Sequence, residues 1–337
     1  MTMRTFTPDA GTPADGPSPA WGIRRAVRLA FPEPAALAGD PVHTERLRRY
    51  LTDLLRPYGR DPGRGEPAPE AGVPAVGALE TGAPETGAPD VGTLDVGALG
   101  RGGQSYGEMA EALIRATLPA GESVDLLVLA HSIPDITPGR ATSTYLSHVC
   151  PGTPMAFAVS DQGAASAFTA LRLVDAYARS GGLRRALLLV VEQCSLPYDP
   201  GVPVSVPAES RGVALLFGEP LPGEQVAGVS GVATHALAAD SPAAALAAEL
   251  GRLGDAPASP TVIIGATAAA GSAHAWPVPP GLADAGQPGT GVWWELAGEL
   301  AGPPAGPRRL LLADYDAGPR HLSLATIGLP GEGGVPG

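Results

Sequence analysis

The most constraining feature of the sequence is the stretch MAFAVSDQGAASAFTAL, residues 155–171, which has the pattern of a strand that turns directly into a helix. Met155–Val159 is a short apolar run, Ser160–Gly163 is a polar turn, and small residues typical of a packed helix begin at Ala164. Such a turn exposes a side chain at the helix N-terminus, where N–H groups and the helix dipole stabilise a nucleophile or an anion. A reactive cysteine or serine is expected at this point, but the residue is Ala164.

The rest of the chain alternates strand and helix patterns in two similar series, which indicates a layered α/β fold with an internal pseudo-repeat. The buried strands are continuous in apolar residues, as strands of parallel sheets are. The first series predicts strand 21–31, helices 43–58 and 109–116, strand 124–130, helix 143–150, strand 155–159, helix 164–179 and strands 186–191 and 212–217. The second predicts strand 226–235, helix 242–253, strand 261–265, helix 291–300 and strands 309–314 and 321–327.

Composition divides the chain into two structured halves and two segments of different character. Residues 1–20 are rich in Pro, Gly, Thr and Asp and are expected to be disordered. Residues 59–103 are a low-complexity Gly/Pro/Ala insertion with five-residue repeats at 80–99. A repeat segment of about twenty residues is too short to form a stable solenoid alone, so we expect a flexible linker or loop insertion. We therefore assign residues 21–58 and 104–220 to an N-terminal half and residues 221–330 to a C-terminal half.

Charge and residue usage exclude several classes of function. The net charge of −12 argues against nucleic-acid binding, which needs a basic surface. The chain contains neither Lys nor Asn, so a lysine Schiff base and a catalytic asparagine are both excluded. The N-terminus lacks the apolar segment of a signal peptide, and no apolar run reaches membrane-spanning length. Together with only two cysteines, Cys150 and Cys194, this predicts a cytoplasmic protein without a membrane partner.

Four segments in order resemble the thiolase superfamily, and within it the initiation-type ketoacyl synthases (ketosynthase III). VDLLVLAHSIPD (124–135) resembles a strand and its following Pro-Asp turn, and residues 156–193 resemble the nucleophile strand, elbow, central helix and next strand. ESRGVALLFGE (209–219) is similar to the strand that closes the first half, and RLLLADYDAGPRHLSLATI (309–327) resembles the closing Gly-rich hairpin. The resemblance implies a thiolase-like α/β/α/β/α layering.

The catalytic residues that the resemblance implies are missing from this sequence. The family condenses acyl units with a cysteine nucleophile, and a histidine and an asparagine stabilise the charge formed on decarboxylation. The corresponding positions are Ala164, Gly265 and Gln287. We therefore expect no catalytic residues for condensation, no metal and no cofactor. The pattern is similar to that of a chain-length-factor-like pseudo-ketosynthase.

Five other residues are candidates for a ligand pocket or a relocated site. His131 points into the cleft or is a loop histidine at a subunit interface. Gln162 hydrogen bonds into the oxyanion pocket, as chain-length-factor subunits do with glutamine, or Asp161 simply caps the helix. Ser166 is a hydroxyl nucleophile or a packed core residue. His274 is a displaced base or a surface loop residue.

Three functions remain compatible with the sequence. The first is a non-condensing subunit of polyketide or fatty-acyl natural-product biosynthesis that supports an active ketosynthase and contacts acyl carrier protein. The second is an acyltransferase with a relocated active site, and the third is a regulatory module that binds acyl thioesters. In each case the expected ligand is acyl-phosphopantetheine or acyl-CoA.

The expected assembly is a homodimer or a heterodimer with an active ketosynthase. The strand ALLLVV, residues 186–191, is apolar throughout. We expect it to lie at the edge of its sheet and to pair with a second chain, because unpaired edge strands are a liability.

Overall fold

The computed structural model describes residues 21–37, 39–55, 104–137, 141–180, 182–196, 204–222, 224–237, 242–253, 261–270, 280–302 and 306–329. The predictions made for residues 1–20, for the insertion at 59–103 and for His274 lie outside the described residues. Within the described ranges, no helix is both long enough and apolar enough to cross a membrane.

The first sheet has five strands in the order β1-β5-β4-β2-β3. Strands β4, β2 and β3 are mutually parallel. Strand β5 pairs antiparallel with β4, and β1 pairs antiparallel with β5. Leu126–Ala130 and the apolar part of β4 are buried along their whole length, because layers cover both faces of the sheet. The strands are β1 (Gly22–Ala30), β2 (Leu126–Ala130), β3 (Met155–Val159), β4 (Arg185–Glu192) and β5 (Arg211–Gly218).

The second sheet repeats the first with every strand number raised by five, in the order β6-β10-β9-β7-β8. The strand directions repeat as well. Strands β9, β7 and β8 are parallel, β10 pairs antiparallel with β9, and β6 pairs antiparallel with β10. The predicted internal repeat is therefore confirmed. The strands are β6 (Gly228–Ala236), β7 (Thr261–Ile264), β8 (Gly281–Leu282), β9 (Arg308–Asp316) and β10 (His321–Leu329).

Helices form three layers around the two sheets. Helices α4 and α7 lie between the sheets, where Phe168 and Trp293 pack with ring centroids 4.9 Å apart. Helices α2 and α3 cover the outer face of the first sheet, and α5 and α6 cover that of the second. The α/β/α/β/α layering is thus confirmed. The helices are α1 (Pro41–Leu55), α2 (Tyr106–Thr117), α3 (Thr142–Val149), α4 (Ala165–Arg179), α5 (Ala243–Leu253), α6 (Ala266–Ala270) and α7 (Gly291–Ala301).

The prediction that residues 186–191 form an edge strand is wrong. Strand β4 pairs with β2 on one side and β5 on the other, so its backbone groups are already bonded. A continuous apolar run indicates that both faces of a strand are buried, as they are in a central strand. The run does not indicate whether the strand lies at the edge or in the centre of its sheet. The first sheet instead ends at β3 on this side, where Met155 is 47% exposed.

Candidate functional site

The turn between β3 and α4 forms a sharp elbow. Asp161 and Gly163 have φ values of 62° and 54°, in the left-handed region. The N–H of Ala165 donates to the Gln162 carbonyl at 3.0 Å, which closes the turn. Helix α4 begins after Ala164, the N-cap residue, and no side chain of its own segment caps it. The elbow predicted from the sequence is therefore present, with a methyl group at its tip.

A cavity of about 1020 Å³ lies in front of the elbow, at the carboxyl ends of the parallel strands. Residues from both halves line it, and Ala164, Gly265 and Gln287 are all on its wall. Ligand sites in parallel α/β sheets usually lie at the carboxyl ends of the strands. The fold thus brings Ala164, Gly265 and Gln287 together, and none of them carries a thiol or an imidazole.

The Asp316 carboxylate occupies the space at the elbow. Its Oδ2 accepts the Ala164 N–H at 3.2 Å, and its Oδ1 accepts the Gly318 N–H at 3.0 Å. A Cβ built on Gly163 would overlap this carboxyl group, with the Asp316 Cγ only 2.9 Å away. Glycine is therefore required here both by its positive φ and by the close approach of Asp316. The N–H that would face a ligand at the helix start is already bonded.

Asp314 fills the corresponding space beside Gly265. A Cβ on Gly265 would lie 2.9 Å from the Asp314 Cγ, so a side chain at that position has no room. Burial raises the pKa of Asp314 to about 7; the Tyr315 N–H bond opposes this, and the charges of Glu192 and Asp316 add to it. Asp314 therefore exchanges a proton near neutral pH while it lines the cavity.

Glu192 and Gln287 form a separate hydrogen-bond network at the start of α7. Glu192 accepts the N–H groups of Gly289 and Thr290, the latter at 2.7 Å, and the Thr290 hydroxyl at 2.5 Å. Burial raises the pKa of Glu192, against the effect of these bonds and of Arg211. Gln287 donates to the Glu209 carbonyl at 3.2 Å and accepts from the Thr290 hydroxyl at 3.1 Å. Its amide is therefore engaged by the protein.

The two candidates in the elbow, Asp161 and Gln162, form hydrogen bonds with side chains close to them in the chain. The Gln162 Oε1 accepts the Thr169 hydroxyl at 2.6 Å, so the amide bonds back to α4. The Asp161 carboxylate accepts the Ser160 hydroxyl at 2.9 Å. The prediction that Asp161 caps the helix is wrong, because the carboxylate that bonds the first turn comes from Asp316. Both Asp161 and Gln162 line the cavity.

His131 and Ser166 lie behind the elbow rather than on the large cavity. They line a small void of about 10 Å³ next to Ala164. The His131 Nδ1 donates to the Ile133 carbonyl at 3.0 Å, and burial lowers the pKa of its ring against the effects of that bond, Asp135 and Asp161. The Ser166 hydroxyl is buried without a hydrogen-bond partner among the described residues. The interpretation of Ser166 as a packed core residue agrees with its 2% exposure.

Asp314 and Asp316 were not among the sequence candidates. Their signal is the DYD triplet at the end of an apolar strand, since residues two apart in a strand face the same side. Among the residues described, no group of His, Cys, Asp and Glu side chains has the arrangement of a metal site.

Comparison with solved structures shows what this architecture resembles. AbyA1, a tetronic acid condensing enzyme, is 18% identical with a TM-score of 0.55, over 91% of this chain and 99% of that one. OleA of Xanthomonas campestris with bound lauric acid and lauroyl-CoA is 14% identical with a TM-score of 0.54, over 92% and 99%. ChlB3, an acyltransferase, is 17% identical with a TM-score of 0.50, over 93% and 98%.

No protein-family profile matches the chain, and no curated protein matches its sequence. The structural likeness therefore establishes the fold: the chain has the thiolase-like fold that these proteins share. The predicted fold class is confirmed.

Proposed function

We propose that this protein is a non-condensing, ketosynthase III-like member of a polyketide or fatty-acyl biosynthetic system. In this role it supports an active ketosynthase and contacts chains carried on acyl carrier protein. The observation that carries the proposal is the filling of the elbow by Asp314 and Asp316, beside Gly265 and Gly163. The fold and the cavity are kept, while the space for the condensing side chains is taken by carboxyl groups.

Chemistry at the elbow argues against condensation by this chain alone. A ketosynthase must hold an acyl group on a thiolate and stabilise the oxyanion that develops during transfer. Ala164 offers no nucleophile, and its N–H donates to Asp316 instead. A carboxylate at this position also repels a developing negative charge.

Size and position of the cavity support an acyl thioester as ligand. Its volume of about 1020 Å³ is at the upper end of small-molecule sites. A structure of OleA, which shares the fold, holds lauric acid and lauroyl-CoA. Acyl-phosphopantetheine or acyl-CoA is therefore the ligand class that we propose.

Strand β3 is the surface that we propose for pairing with a second thiolase-fold chain. It ends the first sheet, and its residues Met155 and Ala158 are exposed. Pairing two such edges would join two sheets into one and bond the backbone groups that no other described strand pairs with on that side of β3. The proposed assembly is a homodimer, or a heterodimer with an active ketosynthase.

The proposal is tested by mixing the purified chain with acyl-CoA and malonyl-carrier protein, with and without an active ketosynthase. We expect acyl-CoA binding by calorimetry, an unchanged intact mass and no condensation product from the chain alone. With the ketosynthase we expect a stable complex and an altered product length or yield. A condensation product from the chain alone would overturn the proposal, as would failure to bind acyl thioesters.

The β3 edge is tested with Met155→Glu/Ala158→Glu, which places two charges on the proposed contact. We expect light scattering to show the dimer mass for the wild type and a shift to monomer for this variant. The matched control is Leu282→Glu, because Leu282 is a 60% exposed residue at the edge of the second sheet. Equal dissociation in both variants would contradict the assignment to β3.

An acyltransferase with a relocated nucleophile is less well supported. Ser166 is the hydroxyl nearest to the elbow in the helix, but it opens onto a void of about 10 Å³. That volume holds one water molecule and no thioester. An acyl adduct on Ser166 in the mass measurement above would favour this alternative.

A further inference from the structure

Two carboxyl side chains face the elbow cavity from one strand. Asp314 and Asp316 are two residues apart near the end of β9, and both line the cavity. Because side chains alternate along a strand, the two carboxyl groups share a face. Neither takes part in the network at the start of α7, and the proposed acyl-binding function assigns neither of them a chemical role.

The surroundings of the two carboxyl groups differ. Asp316 is partly exposed and its two oxygens each accept one backbone N–H. Asp314 is only 7% exposed, and its Oδ1 accepts the Tyr315 N–H at 2.9 Å. Burial raises the pKa of Asp314 to about 7, so its protonated form is well populated at neutral pH. Two neighbouring carboxyl groups in such different surroundings are the arrangement that supports paired acid and base roles.

One oxygen of this pair points to a ligand. The Asp314 Oδ2 accepts no hydrogen bond from any residue that the structure describes, although the side chain is more than nine-tenths buried. This oxygen is not itself enclosed by protein atoms, so it is open to the cavity. Since Asp314 lies on the wall of a cavity of about 1020 Å³, a bound molecule is in position to supply a hydrogen-bond partner.

The charge of the wall restricts the class of ligand. Among the described residues, four aspartates and one arginine, Arg172, line the cavity. A ligand with a free carboxylate next to the pair would be repelled, whereas a neutral carbonyl group can accept a proton from Asp314. A β-oxo acyl thioester combines such a carbonyl with an adjacent acidic C–H group.

We propose that Asp314 and Asp316 act as an acid–base pair that interconverts the keto and enol forms of a β-oxo acyl thioester bound in this cavity. The proposal rests on the acyl-binding function proposed above. The Asp316 carboxylate takes a proton from the carbon between the two carbonyl groups, and the C–H electron pair becomes the C=C bond of the enol. The carbonyl π electrons take up the Asp314 proton as an O–H bond. The reverse step restores both groups, so no co-reactant is needed.

The test measures deuterium uptake at C2 of acetoacetyl-N-acetylcysteamine in D₂O by NMR, with the full chain and against a buffer blank. We expect the protein to accelerate exchange by about 100-fold, the usual contribution of a positioned acid or base. Asp314→Asn and Asp316→Asn should each remove most of the acceleration. The control is Glu219→Gln, because Glu219 is exposed and lies outside the cavity.

The acceleration should fall as the pH rises through about 7, because Asp314 then loses the proton that it donates. Asp314→Asn should lose this dependence. Among the described residues, the other charged or titratable groups that face Asp314 or the cavity are Asp161, Arg172, Glu192, Asp284, Tyr315, Asp316 and His321. The charges of these groups can shift the midpoint.

Binding is measured in the same samples by saturation-transfer NMR, with octanoyl-N-acetylcysteamine as a ligand that has no β-carbonyl. Binding of both thioesters without accelerated exchange would overturn the acid–base pair and leave the proposed function intact. Failure of the wild type to bind either thioester would overturn both. Variants that bind the octanoyl thioester as the wild type does are folded, so a loss of exchange in them supports the pair.

Discussion

The two helices between the sheets begin in equivalent ways, but the carboxylates that bond their first turns have different surroundings. Asp316, the last residue of β9, accepts the N–H of Ala164 at the start of α4. Glu192, the last residue of the equivalent strand β4, accepts the N–H of Thr290 at the start of α7. Each half of the molecule therefore supplies the carboxylate that caps the central helix of the other half.

The difference lies in burial and in the number of hydrogen bonds. Glu192 is 1% exposed, and its oxygens accept from two N–H groups and one hydroxyl. Asp316 is partly exposed, stands on the cavity wall and accepts one N–H at each oxygen. One copy of the repeated feature is thus a closed structural cap, and the other remains accessible to a ligand. Repetition of a fold does not repeat the role of its equivalent side chains.

The largest expected effect comes from removing the closed cap. Glu192→Ala leaves the N–H groups of Gly289 and Thr290 buried without an acceptor, and we expect the free energy of unfolding to fall by about 3 kcal/mol. Glu192→Gln keeps an acceptor oxygen and should lose less. Chemical denaturation measures both, with Glu219→Ala as an exposed control. A loss under about 1 kcal/mol in Glu192→Ala would show that this cap is no more structural than that of Asp316.

Crowding at the open cap is tested with Gly163→Ala. The added methyl group overlaps the Asp316 carboxyl group and is strained by the positive φ, so we expect a loss of about 2 kcal/mol in the free energy of unfolding. The matched control is Gly182→Ala, where φ is 93° and no described residue beyond its chain neighbours lies within 4 Å of an added Cβ, so backbone strain is the effect expected there. Asp316→Gly in the Gly163→Ala background should remove the difference between the two glycine variants. Equal losses at Gly163 and Gly182 would mean that Asp316 does not restrict the elbow.

Sequence patterns predicted the fold well because most of its elements carry a local signal. Apolar runs identified β2, β3 and β4 at nearly their observed bounds, and the elbow was identified from a strand, a turn and small helical residues. The short elements α6 and β8 have too few residues for a periodic pattern and were missed. Position within the sheet was misjudged for β4, because burial is local information whereas strand order depends on pairing between distant segments.

The residues that fill the elbow were much harder to predict from the sequence than the fold. The sequence singled out Ala164, Gly265 and Gln287, and the structure brings them to one cavity. The carboxylate that bonds the elbow comes from a strand that is distant in sequence, since Asp316 and the Ala164 N–H are 152 residues apart. The DYD triplet indicates that two carboxyl groups share one face of a strand, but two acids at a strand end also resemble the start of an ordinary turn. The sequence therefore does not show that they fill the elbow.

Buried Asp314 also distinguishes the halves, because the equivalent position two residues before the end of β4 is the apolar Val190. Its pKa of about 7 lies above the ordinary value of 3.8, so between these pH values the folded chain keeps a proton that the unfolded chain releases. The free energy of unfolding should therefore fall as pH rises from about 4 to 7 and then level off. Between pH 5 and 7 we expect Asp314→Asn to remove about 2 kcal/mol of this fall, as measured by urea denaturation. Burial raises the pKa of Glu192 too, so a residual slope of the same sign should remain in the variant. An identical slope with and without Asp314 would contradict its assignment as a buried proton-binding group.

The smallest effect is expected from removing the open cap. Asp316→Ala frees the Ala164 N–H, but this group borders the cavity and water can replace the carboxylate, so we expect a loss of about 1 kcal/mol or less. Urea denaturation of Asp316→Ala beside Glu192→Ala measures the two caps on one scale. If the two variants lose the same stability, the caps are equivalent in structure as well as in position, and Asp316 is a structural residue like Glu192. If Asp316→Ala is nearly neutral, stability does not account for a carboxylate at the elbow, and its place on the cavity wall is better explained by what the cavity binds.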